Sequence, residues 1–146
     1  MVALGELLLR LKSPGHERLM QSGTFEAAFG GAEANVAGAL ATDGIDSSFV
    51  SALTTNPRGD AAIGELRRFG IDTTNIVRQE GRIGTYYLGA GAGQRPGRVV
   101  CDCEGSVFAN VSPSAFDWSK CIAGATWLIG SAQVTHSQRG SSTGLF

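Results

Sequence analysis

The sequence predicts an α/β fold with a parallel sheet flanked by helices, and three observations carry that reading. Short apolar runs alternate with stretches of helical spacing, in the order strand, helix, strand, helix, strand up to Arg78. That order implies a parallel sheet with right-handed crossovers. Beyond it, two strand-like runs joined by a glycine-rich stretch read as a hairpin-like insertion. At 146 residues, one domain with a real core is the default.

Val2 to Leu11 reads as a first, mostly buried strand, broken by Ser13-Pro14-Gly15. Its apolar run Leu7-Leu8-Leu9 is short and lacks the basic lead and cleavage site of a signal peptide. Leu19 to Ala27 alternates loosely, as a short exposed strand does. Ala32 to Thr42 is rich in alanine and followed by Gly44, which predicts a helix and its stop. Ser47 to Leu53 is a second core strand. Gly59-Asp60 opens the next helix, with Asp60 as N-cap; it runs through Phe69 and ends at Gly70. Ile63, Leu66 and Phe69 recur at helical spacing and mark its sheet-facing side. Ile76 to Arg78 is a short strand. Ile83 to Leu88 and Arg98 to Cys103 form the insertion around Gly89 to Gly97. Ser114 to Ala123 predicts a short helix, Ala125 to Gly130 another core strand, and Gln133 to Phe146 a polar tail expected to fray.

A net charge of −1 argues against a nucleic-acid or membrane-surface binder, which usually carry a basic excess. No stretch is long enough to span a bilayer. Cys101, Cys103 and Cys121 show neither CxxC nor metal spacing, which predicts reduced thiols and a cytoplasmic setting. Cys101 and Cys103 would share one strand face, where they cannot easily pair.

The chemistry-bearing stretch is Phe29-Gly30-Gly31-Ala32-Glu33-Ala34-Asn35. Two glycines leading into a small-residue helix let backbone approach a polar ligand, with helix N–H groups at its edge. Glycine amides and the Asn35 carboxamide both suit a polyol or sugar acid. The same residues also suit a tight loop before an Ala-rich helix, and spacing alone does not choose. In Arg82 to Leu88, Gly84 and Tyr86 face one way and Tyr87 the other. Tyr86 could cover a sugar, or both tyrosines could simply pack the sheet. Gly89-Ala90-Gly91-Ala92-Gly93-Gln94 resembles a phosphate cradle. However, no Lys-Ser or Lys-Thr and no helix follow it, so a hairpin turn is the better reading. His16 and His136 lack ligand partners at useful spacing, and the aspartates sit scattered at turns and caps.

Several runs in order resemble the PfkB, or ribokinase-like, carbohydrate kinases. They are Gly5 to Leu11 with Ser13-Pro14-Gly15, Phe29 to Ala37, Asn56 to Asp60, Glu65 to Thr73 and Arg95 to Val100. Within the family the likeness is nearest to 2-dehydro-3-deoxygluconate (KDG) kinases. The resemblance implies a ribokinase-like α/β fold with a small β-lid, here from about 19–27 and 83–103, and a kinase portion spanning 1–132. It implies ATP and Mg²⁺ as co-substrates, a sugar or sugar-acid substrate held at Gly30, Gly31, Asn35 and Tyr86, and a homodimer formed through the lid.

Two departures stand against that pattern. Where KDG kinases resemble Val-Val-Tyr-x-Arg, this chain has Val99-Val100-Cys101-Asp102-Cys103, losing an arginine suited to grip a carboxylate. The family's catalytic base, nucleotide pocket and metal motif lie in its C-terminal half and are not found here. The reading is therefore of a C-terminally truncated chain with no catalytic or metal residues, inactive alone. The alternative is a non-catalytic relative that binds a sugar or dimerises.

Overall fold

The computed structural model describes residues 1–130. The tail predicted from Gln133 to Phe146 lies outside the described residues. In chain order the elements are β1 (Val2–Leu4), β2 (Leu8–Lys12), β3 (Glu26–Gly30), α1 (Ala32–Thr42), β4 (Ser48–Thr54) and α2 (Pro57–Arg68). Then follow β5 (Ile76–Gln79), β6 (Thr85–Gly89), β7 (Arg98–Asp102), α3 (Val107–Asn110), α4 (Trp118–Cys121) and β8 (Leu128–Gly130). They form two four-stranded sheets. The main sheet is parallel, in the order β5-β4-β1-β8. The smaller sheet has the order β3-β2-β6-β7 and is mixed, with β2 and β6 parallel and the outer pairs antiparallel.

Strand alternation in β4 explains the layers. Phe49 and Leu53 point to one side, into a core with Ala3, Ala37, Ala62 and Leu66 from β1, α1 and α2. Val50 and Ala52 point to the other, against Val107, Phe116 and Cys121. Helices thus cover both faces, as parallel sheets require.

Helix α1 has the predicted bounds, and Gly44 behind it takes a left-handed φ of 82°. The single strand expected from Val2 to Leu11 is two strands in two different sheets. Gly5-Glu6-Leu7 carries the chain across, and the Ser51 hydroxyl secures the crossing by donating to the Gly5 carbonyl at 2.7 Å. The strand expected from Leu19 to Ala27 begins only at Glu26, because Arg18 to Gln21 folds into a turn instead.

Helix α2 starts earlier than expected. Asn56, not Asp60, is its N-cap, accepting from the backbone N–H of Arg58 and Gly59, with Pro57 in the first turn. Asp60 instead pairs with Arg78 at 2.6 Å, and Arg78 also donates to the Thr54 carbonyl, stitching α2 to β4 and β5. Phe69 is not on the sheet-facing side. It caps the helix, is 45% exposed, and lies under the Arg68 guanidinium.

The helix expected from Ser114 to Ala123 is a 3₁₀ turn at Pro113–Ala115 followed by α4, because the Ser112 and Asp117 side chains cap two separate starts. The last strand is shorter than expected and is not a core strand. All three residues of β8 are exposed, as is Trp127 (71%).

Candidate functional site

The two sheets meet at the Gly5-Glu6-Leu7 crossing, and the sequence-selected residues gather beside it. Gly30 ends β3, opposite Leu8 of β2. Tyr86 lies in register with Arg10 of β2 and Cys101 of β7. Paired residues share a face, so Gly30, Arg10, Tyr86 and Cys101 face one way and Tyr87 the other. Tyr87 packs edge-on against Phe25 at 5.9 Å. Gly30 and Tyr86 come together directly: a Cβ on Gly30 would stand 3.0 Å from the Tyr86 hydroxyl.

Gly31 is the N-cap of α1, with extended backbone that any residue adopts. Glycine is needed there for another reason, since a Cβ would run into the Glu6 carbonyl oxygen. The Asn35 N–H donates to the Gly31 carbonyl at 2.9 Å in the first helical turn, and the Asn35 side chain is exposed. Gly30 and Asn35 also line a cavity of about 300 Å³ between β3, α1 and α2. That cavity does not suit a polyol. Its walls include Leu7, Leu66 and Phe69, the Thr42 hydroxyl turns back to Gly38, and Glu65 is taken by Arg68. The polar face beside Tyr86 is the better candidate.

Sequence reasoning missed two residues here. Glu6 is half-buried, and its carboxylate accepts from the Ser106 hydroxyl at 2.6 Å. Burial pushes its pKa above the ordinary value, while the Ser106 hydrogen bond and the Arg82 charge pull it back. Its carboxylate fills the space a Cβ on Gly84 would take. A lone acid in an apolar N-terminal run was the available signal. Arg10 is the second. Its Nε is buried with no hydrogen-bond partner among the described residues, on the face that carries Tyr86.

Around Glu6 the charges are fixed. Arg82 grips Asp102 through two hydrogen bonds, at 3.0 and 2.6 Å, and donates to the carbonyls of Asp102 and Glu104. The Cys103 thiol is pushed up to about 11, first by burial and then by the Glu6 charge, so it stays protonated and unreactive. All three cysteines are free. The glycine-rich run joins β6 to β7 as the expected turn, with Ala92 and Arg95 exchanging backbone hydrogen bonds around Gly93. His16 is exposed and its Nδ1 lies 2.8 Å from the Gly91 carbonyl; His136 is outside the described residues.

Glu6 gives a pH prediction. With a folded pKa raised above the unfolded one, its contribution to stability is full below the ordinary value of 4.5. It is lost as pH rises through the raised value. Glu6→Gln, which keeps a hydrogen-bond partner for Ser106, should flatten that decline in urea midpoints taken across the acid range. An unchanged slope would show that Glu6 is not its source.

Comparison with known proteins gives three kinds of match. The sequence profile of the pfkB family carbohydrate kinases matches residues 1–103. A 2-dehydro-3-deoxygalactonokinase of Haloferax volcanii is 31% identical over 113 residues, covering 77% of this chain and 36% of that protein. The crystal structure of a 2-dehydro-3-deoxygluconokinase from Thermotoga maritima superposes with a TM-score of 0.86 at 47% identity, covering 88% of this chain and 40% of that one. An uncharacterised sugar kinase from Pyrococcus horikoshii, solved in complex with ATP, gives a TM-score of 0.79 at 26% identity, with 88% and 42% covered. The chain thus spans about two fifths of the length of these proteins.

Proposed function

The chain belongs to the pfkB family of carbohydrate kinases, with a ribokinase-like α/β fold, and from that premise we propose that it is the N-terminal, substrate-side part of an ATP-dependent sugar kinase. Its substrate is 2-dehydro-3-deoxygluconate or a related sugar acid. One observation carries this reading: the shared face on which Gly30 meets the Tyr86 hydroxyl and Arg10 stands in register beside it. Gly30 and Gly31 supply close backbone approach, and Asn35 and Tyr86 supply hydrogen bonds to hydroxyls. Arg10 offers the positive fork that Cys101 and Cys103 do not, so a carboxylated sugar stays within the chemistry of the face. Two of the relatives carry the names 2-dehydro-3-deoxygalactonokinase and 2-dehydro-3-deoxygluconokinase.

ATP and Mg²⁺ belong to this activity as the family's co-substrates. Among the described residues no group of three His, Cys, Asp or Glu side chains is placed to hold a metal ion. No residue here is assigned to either co-substrate. Phosphoryl transfer relies on positioning and charge neutralisation, so the 146-residue chain alone is expected to turn over no sugar. It should still bind KDG, at millimolar affinity or weaker, about 4 kcal/mol or less. An NMR titration should show shifts centred on Gly30, Gly31, Asn35 and Tyr86. Shifts elsewhere with these residues still would overturn the placement, and turnover lost on substituting Asn35 would overturn the inactivity.

A second reading, association through the smaller sheet, is favoured by exposed apolar side chains there. Val99 and Val100 on β7 are exposed, as is Met20 in the loop between β2 and β3, and so are Trp127 and Leu128 at β8, the outermost strand of the main sheet among the described residues. We propose a homodimer formed through the smaller sheet as lid. Light scattering across a dilution series should show a dimer or larger species. A lone monomer at tens of micromolar, roughly where weak interfaces begin to populate, would contradict it. Three free cysteines fit a reducing compartment, the cytoplasm. Among the described residues no helix is long and apolar enough to cross a membrane.

A further inference from the structure

The glycine-rich turn between β6 and β7 sits beside an unexplained concentration of charge. Arg18, Arg95 and Arg98 line one cavity of about 470 Å³ at the far end of the smaller sheet, with Leu19, Ala90 and Pro96. Among the described residues no acidic one lines it. Five ion pairs among the described residues engage Lys12, Arg68, Arg78, Arg82 and Lys120, and none involves these three arginines. Three positive side chains that share one lining repel each other, and an anion between them relieves that repulsion.

The walls are held in place before any ligand arrives. Arg95 donates to the His16 and Ala90 carbonyls, and the His16 ring reaches the Gly91 carbonyl, so the 14–18 loop is tied to the turn. The turn is packed backbone on backbone. A Cβ on Gly91 would stand 2.9 Å from the Arg95 carbonyl oxygen and 3.0 Å from the Gly97 nitrogen. The Leu19 side chain packs over Gly89, its Cγ 3.2 Å from where a Cβ would stand. Arg18 and Arg98 are exposed and make no side-chain hydrogen bond among the described residues, which leaves their donors available.

We propose that this cavity is a second binding site, distinct from the face around Gly30 and Tyr86, and that it takes a small phosphate-bearing anion. A phosphate dianion presents three acceptor oxygens and enough charge for more than one guanidinium, and arginine forks match its geometry. The sequence argument against a P-loop stands, because no helix N-terminus is used; the cation sites are side chains.

The full chain, titrated by NMR with inorganic phosphate, glucose 6-phosphate and glucose, tests this. We expect saturable shifts confined to residues 16–19 and 89–98 with both phosphates and none with glucose. The affinity should collapse near 1 M salt, where screening reaches about 3 Å. Arg18→Ala and Arg98→Ala, both at exposed positions that leave the Arg95 tie intact, should each weaken binding about tenfold, the loss of one charge-assisted contact. Tighter binding of glucose 6-phosphate would assign a phosphorylated sugar, and equal affinity the free ion. Unsaturated shifts scattered over other arginines, such as Arg58 and Arg67, or unchanged affinity in both variants, would overturn the site.

Discussion

Gly31→Ala is expected to destabilise the chain by about 1–3 kcal/mol, the range for forcing extra atoms into packed structure, and to abolish what sugar binding it has. Gly31 lies in extended backbone, so the cost is not one of conformation. The new methyl meets the main-chain carbonyl of Glu6, which sits in the crossing between the two sheets and cannot swing away as a side chain would. Relief requires β3 and α1 to part from the β1–β2 connection, carrying the first turn of α1 and Asn35 with them. Gly30→Ala is the control. Its methyl meets only the tip of Tyr86, 3.0 Å away, which can turn aside. It should leave the urea midpoint nearly unchanged while weakening binding. Equal midpoints for both variants would show that the Glu6 carbonyl yields easily and that Gly31 is not held by packing.

That contrast marks what the sequence made legible. The glycine pair and its helix were readable because local rules fix them: an Ala-rich run, a stop glycine at residue 44, small residues where backbone must come close. The reason each glycine is needed was not, because Glu6 and Tyr86 reach them across the fold. The same limit explains the N-terminal strand. Apolar alternation continues through Leu7, Leu8 and Leu9, and nothing in a period of two reports that the chain changes sheets at Gly5. At α2 a local signal was present and misjudged, since Asn56 followed by Pro57 is a stronger start than Asp60. Phe69 fits the helical spacing of Ile63 and Leu66, yet it is the C-cap of α2, past the last helical turn, and it is Ile71 two residues on that enters the core. Glu6 and Arg10 read as strand residues, and only the structure shows one bonded to Ser106 and the other with a buried donor unmet among the described residues.

Phe49→Ala should have the largest effect on stability, a loss of about 3–5 kcal/mol. Phe49 is fully buried near the start of β4, in register with Ala3 and in one cluster with residues of α1 and α2. Its cluster joins small residues (Ala3, Ala34, Ala37 and Ala62) with Leu53, Leu66 and Ile71, and side chains already close-packed refill the volume of a lost ring only in part. Such a loss is a large share of the 5–15 kcal/mol that holds a typical domain, and the variant should be partly unfolded at 25 °C. Circular dichroism and the urea midpoint read it directly. A midpoint near the parent's would mean that the alanine-rich layer collapses onto the gap. Phe49→Leu, which restores most of the volume, should recover much of the loss.

The placement of β1 has a consequence for how the chain comes to be folded. It is the first strand made, yet it lies inside the main sheet, between β4 and β8. Its β4 partner, Ser48, is synthesised early; its β8 partner, Leu128, comes near the end of the described chain. At about 5–20 residues per second, one side of β1 waits unpaired for seconds after the other can close. Closing the long loop to β8 carries the greater entropy cost and comes late. The nascent chain therefore presents a half-made sheet, already cored by Phe49 and Leu53, with a bare strand on its rim. Chaperone engagement should be strongest in that interval, and ribosome release before residue 128 should yield a species that aggregates through β1.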